Sequence, residues 1–90
     1  MPLYFFHLDH GAREIPDTEG SECADPAAAL VRAIEIIREM VALDLREGRI
    51  DLDWRLRIMD QAGMRLATVP FADVLGGKPI ALDHRPPLRQ

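Results

Sequence analysis

The feature that most constrains this chain is the run AAALVRAIEIIREMVALDLREG, which follows Asp25-Pro26 and holds neither Gly nor Pro before its final Gly48. Asp25 is placed to accept the orphan amide hydrogens of a helix N-terminus. Pro26 takes the first helical position, where its missing N–H has no intrahelical partner anyway. Gly48 is placed to close the helix in the left-handed conformation, after about six turns. At about 100° per residue, Leu30, Ile34, Ile37, Val41 and Leu45 fall on one stripe, widened by Ala33 and Met40, and Arg32, Glu35, Glu39 and Arg46 lie opposite. A helix so patterned lies on something flat. Ile36 and Leu43 fall at the far shoulder of the stripe, as core margin or as a contact with another chain.

The flat partner is legible on both sides of the helix. Pro2 to Leu8 reads as a strand, since Tyr4, Phe5 and Phe6 favour a pleated surface and turn residues follow at Asp9, His10 and Gly11. A short second strand is expected near Ala12 to Ile15, ended by Pro16. The loop PDTEGSECAD leaves room for a brief edge strand at 22–24. After the helix, Leu52, Trp54, Leu56 and Ile58 alternate with Asp53, Arg55, Arg57 and Met59, the strongest strand signal in the chain. Asp60 to Gly63 reads as a turn, MRLATVPF as the returning strand and ADVL as a helical turn.

The order strand, strand, helix, strand, strand predicts a two-layer α+β fold, an antiparallel sheet with the long amphipathic helix on one face. Ninety residues leave room for one domain, expected over 1–75, with an irregular tail at 76–90 that only Ile80, Leu82 and Leu88 can tie down. With 48% hydrophobic and 29% charged residues, disorder and collagen are excluded. One cysteine excludes an internal disulfide, and the opening MPLYFFHLDHG carries no leader pattern or apolar span, so a cytoplasmic protein without a membrane association is expected. Fifteen acids against eleven bases give a net charge of -4 and argue against a nucleic-acid partner. The imbalance is local: Asp9, Glu14, Asp17, Glu19, Glu22 and Asp25 face Arg13 alone in the first third, which suits a small basic protein partner.

MPLYFFHLDHG, IPDTEG, a helix beginning DPAAALVRA, LDWRLRIMDQAG and TVPFADVL together resemble a bacterial family of small proteins, domain of unknown function 6894, found largely in rhizobia and related alphaproteobacteria. The resemblance covers residues 1–75 and implies a fold and a bacterial setting, with no activity to carry over. A weaker likeness is to the partial ribonuclease H fold of HicB-type antitoxins, on Pro16-Asp17-Thr18-Glu19-Gly20 and the small residues from Ala27 to Ala33. The chain departs from that pattern in having two strands after the helix and no DNA-binding segment.

No standard catalytic or ligand motif is present, so the polar residues are weighed singly. His7, Asp9 and His10 offer two imidazoles and a carboxylate to a metal such as zinc, with His84 a distant third nitrogen. The plainer reading has His7 satisfied at the sheet surface and Asp9 organising the turn. Asp17, Glu19, Glu22 and Asp25 are numerous enough for a hard cation, but they follow no calcium-loop spacing and fit turn and cap roles. Cys23, just before the helix, reads as a small buried residue before it reads as a nucleophile. Arg55, Arg57 and Arg65 are expected together on the outward side of the second hairpin, as surface ion pairs or phosphate contacts. Trp54 is expected in the core.

These readings lead to a non-enzymatic interaction protein with no cofactor, metal site or catalytic residue. It would self-associate as a homodimer or mask a basic partner in the manner of an antitoxin, through Tyr4, Phe5, Phe6, Ile36, Leu43, Arg55 and Arg57. The alternative is a small metal-dependent hydrolase or nuclease using the acidic loop and His7 or His10.

Overall fold

Helix α1 spans Pro26–Arg46 and begins as its sequence dictates, with the Asp25 side chain accepting the Ala28 N–H at 2.8 Å. It ends in a Schellman pair: Gly48, at φ 77°, donates to the Leu45 carbonyl and Arg49 donates to that of Asp44. The structure is a computed structural model and describes residues 1–83; His84 and Leu88 lie outside the described residues. The helix packs on a sheet of five strands: β1 (Leu3–His10), β2 (Arg13–Ile15), β3 (Ser21–Glu22), β4 (Arg55–Asp60) and β5 (Arg65–Pro70). A short helix, α2 (Phe71–Leu75), follows β5. All strand pairs are antiparallel, in the order β2-β1-β4-β5, and β3 pairs with the other end of the β1 edge that β2 occupies.

Strand alternation separates two faces. Toward the helix point Tyr4, Phe6, Leu56, Ile58, Ala67 and Val69, all buried, and they close on Ala29, Ala33, Ile37 and Val41 of α1. The other face carries Phe5, His7 and Asp9 of β1, in register with Met59, Arg57 and Arg55 of β4, and then Thr68 and Pro70 of β5. The aromatic strand is thus two-sided, as expected, but Tyr4 and Phe6 are sealed beneath the helix and only Phe5 belongs to the second face.

Three expectations need correction. The buried stripe of α1 runs Ala29, Ala33, Ile37, Val41, with Leu30, Ile36 and Met40 at its margins, while Leu45 is 57% exposed. The small alanines let the helix backbone approach the sheet. A 21-residue helix of about 30 Å also outruns the six-residue strands β4 and β5 of about 20 Å, and Leu43 and Leu45 near its end are left exposed. Strand β4 starts at Arg55, not at Leu52, because Asp51 captures the Asp53 N–H at 3.0 Å and turns the chain. Trp54 is therefore half-buried at the core margin, where its carbonyl accepts the Phe71 N–H. The segment after α2 is anchored: Ile80 and Leu82 pack on the core, and Asp83 bonds to Leu66 through its N–H and to Arg65 through its carboxylate. Among the described residues, no helix is long and apolar enough to cross a membrane.

Candidate metal centre

Antiparallel pairing of β1 with β4 places the end of one strand beside the entry to the other, Asp9 being opposite Arg55. His10, the last residue of β1, thereby meets the turn that Asp51 and Asp53 build. Its Nε2 lies 2.8 Å from Asp51 Oδ2, and one ligand-capable atom from each of His10, Asp51 and Asp53 lies within 4.8 Å of the others. Ligands on a tetrahedral ion at about 2.1 Å stand about 3.4 Å apart, so a modest rotation of the exposed Asp53 side chain closes the set. The Asp51 carboxyl is held below the usual carboxylate range, first by the Asp53 N–H and then, against the opposing effect of burial, by His10. It is consequently ionised near neutral pH, as ligation requires. The imidazole is steadied by Trp54, whose ring centroid is 4.8 Å away, and the Arg13 guanidinium lies over that same indole. One nitrogen and two carboxylate oxygens would supply three ligands to a zinc ion and leave a coordination position for water.

Beside this cluster opens a cleft of about 820 Å³ whose walls include His10, Asp53, Arg55, Arg57, Arg65 and Thr68. Arg57 is fixed there: its Nε and Nη2 donate to the two carboxylate oxygens of Asp9 at 3.0 and 3.1 Å, and Nη2 also reaches Glu14. These bonds push the guanidinium pKa further up and hold the Asp9 carboxyl down.

The other sequence candidates are dispersed. His7 Nδ1 accepts the Asp17 N–H at 3.0 Å and stacks on Phe5, apart from His10, so the His7, Asp9, His10 set does not assemble. Asp17 fills a gap in the sheet edge: it accepts from Phe6 at 3.1 Å, where β1 lacks a strand partner between β2 and β3, and from Glu19 and Gly20. Asp25 is a cap, and the acidic loop of the alternative reading gathers no ligand set among the described residues. Cys23 is buried, which pushes its thiol up and away from reactivity. Among residues expected to meet a partner, Tyr4 and Phe6 are inaccessible, Ile36 packs on the core, Phe5 is half-buried, and Leu43 and Arg55 are exposed.

The expectation of a non-enzyme without metal ligands is overturned by this His10, Asp51, Asp53 cluster, whose geometry has the capacity for metal binding and metal-assisted chemistry. Asp51 was not singled out by the sequence, and Asp53 was assigned to a strand face; the signal was the Asp-x-Asp spacing at the strand entry. Fold and site together define a small α+β protein, a helix on an antiparallel sheet, with a candidate His-Asp-Asp metal centre at one sheet end. Residues 3–72 match the family described as Domain of unknown function (DUF6894), and the chain belongs to that family. The matched span includes His10, Asp51 and Asp53. No curated protein and no solved structure matches the chain.

Proposed function

We propose that the protein is a small metal-dependent hydrolase whose ion is held by His10, Asp51 and Asp53. The observation that carries this reading is the convergence of three ligand atoms within 4.8 Å beside a cleft that His10 and Asp53 line. In the metal-free protein His10 Nε2 and Asp51 Oδ2 are joined by a hydrogen bond of 2.8 Å. A zinc or similar ion would take the place of that hydrogen, and binding would weaken in acid as protons compete for the ligands. His10, Asp51 and Asp53 would hold the ion, which when bound would supply a water of lowered pKa and a Lewis acid for the substrate oxygen. In the hydrolysis, that water would give its hydroxyl to the electrophilic centre and its proton to the leaving group.

The test is activity on activated carboxylic and phosphoric esters with and without Zn²⁺ or Mn²⁺. Metal-dependent turnover that is lost in both His10→Ala and Asp53→Asn supports the reading. Turnover indifferent to metal and to both substitutions, or none with metal bound, contradicts it.

A further inference from the structure

We infer that the cleft takes a small phosphate monoester, its phosphate set between Arg55 and Thr68 on one side and the metal held by His10 and Asp53 on the other. The inference rests on the metal reading and names the substrate class for that same site.

The first support is charge. The chain carries a net charge of -4, yet Arg55, Arg57 and Arg65 all line a single cleft, beside Asp9 and Asp53. Two of these are occupied, Arg57 by Asp9 and Glu14 and Arg65 by Asp83. Arg55 is exposed and makes no ion pair among the described residues. A guanidinium presents a planar fork of donors matched to phosphate oxygens, and Arg55 is the one in this cleft whose fork is unspent. Arg57, two residues along the same strand face, is held in place by Asp9 and Glu14, which take up its charge and leave Arg55 as the available guanidinium.

A second support is position. Thr68 lies directly across from Arg57 and diagonal to Arg55 on the same face, so its hydroxyl is a neutral donor beside the fork. Asp53 and Arg55 are two residues apart at the strand entry, and both line the cleft. The volume, about 820 Å³, suits a drug-sized or nucleotide-sized molecule. A nucleic-acid strand fits less well, because it would extend beyond the cleft over the surface of a chain whose net charge is -4.

The test uses adenosine 5′-monophosphate as probe, followed by backbone and arginine side-chain NMR with and without Zn²⁺, with zinc affinity measured separately by calorimetry. Binding should shift Arg55 and Thr68, tighten with zinc, and be absent for adenosine. Arg55→Gln should weaken it about 10-fold or more while zinc affinity stays within about twofold. Asp53→Asn should remove the tightening by zinc and leave weak zinc-free binding at Arg55. Zinc loading without nucleotide binding, or unchanged binding in Arg55→Gln, overturns this inference and leaves the metal centre standing. Nucleotide binding at Arg55 with no zinc binding overturns the metal centre and the metal-bridged placement with it. A single-stranded oligonucleotide that binds more than about 10-fold tighter than the nucleotide, with a steep salt dependence, overturns the assignment to a small ester.

Discussion

Replacing Asp17 with Ala removes one carboxylate that ties a loop to the edge of the sheet, and its cost follows from what each donor then finds. The Phe6 N–H lies in the gap between the β2 and β3 pairings and is partly buried, so its loss costs about 1–3 kcal/mol. The Glu19 N–H is exposed and the part-buried Gly20 N–H lies in the same loop, where water replaces the carboxylate at about 0.5 kcal/mol each. The total is about 2–4 kcal/mol, a measurable share of the roughly 5–13 kcal/mol expected of a domain this size. Asp17→Asn keeps one acceptor oxygen and should lose about half as much. Urea denaturation should show a lower midpoint with an unchanged slope. The pH dependence gives a second readout. Burial alone raises the Asp17 pKa, but the Gly20, Phe6 and Glu19 donors outweigh it, and the carboxyl sits below its ordinary value. A depressed folded pKa stabilises fully above the unfolded value, near about 3.9, and that contribution is lost as pH falls through the folded value. The gap between wild type and Asp17→Asn should therefore be widest above about pH 5 and shrink below pH 4. A loss under about 0.5 kcal/mol in Asp17→Ala, or a gap indifferent to acid, would refute the reasoning.

Other substitutions test the rest of the scaffold. Ile37→Ala should cost about 2–4 kcal/mol in chemical denaturation, because Ile37 is fully buried between helix and sheet; a loss below about 0.5 kcal/mol would refute that packing. Asp25→Ala should cost about 0.5–2 kcal/mol and Asp25→Ser much less, and equal losses would show that Asp25 acts by charge rather than as a cap acceptor. Gly20→Ala should lower the melting temperature, since φ is +75° and the new Cβ would stand 2.9 Å from the Phe5 ring and 3.1 Å from the Tyr4 carbonyl; an unchanged melt would show that the loop relaxes.

Local signals in this chain read well and non-local ones poorly. The Asp25 cap, Pro26 and the Gly48 terminator act within one or two helical turns, and the helix they define is the one observed. The phase of Leu56 and Ile58 and the turn from Asp60 to Gly63 were equally legible, for the same reason. Alternation overran its strand at Leu52 because Asp-Leu-Asp-Trp continues a period of two, while the Asp51 turn that breaks it is written in a side-chain bond and not in hydropathy. The helix face was misjudged by a fraction of a turn, since hydrophobicity ranks Leu45 above Ala29 and close approach to the sheet reverses that order. His10 and Asp51 are 41 residues apart, and only the register of β1 on β4 brings them together. A cluster made by register has no short motif, which is why a reading confined to neighbours along the chain paired His10 with His7 and Asp9.

Calorimetric titration of the metal-free protein with Zn²⁺ bears most directly on the His10, Asp51, Asp53 centre. Wild type should bind one ion per chain with release of protons, and His10→Ala and Asp53→Asn should each weaken binding at least about 10-fold, since loss of even an outer partner of a ligand costs that much. His7→Ala, outside the cluster, should bind zinc as wild type does. An absence of saturable binding near neutral pH, or variants at His10 and Asp53 that bind as tightly as wild type, would contradict the centre.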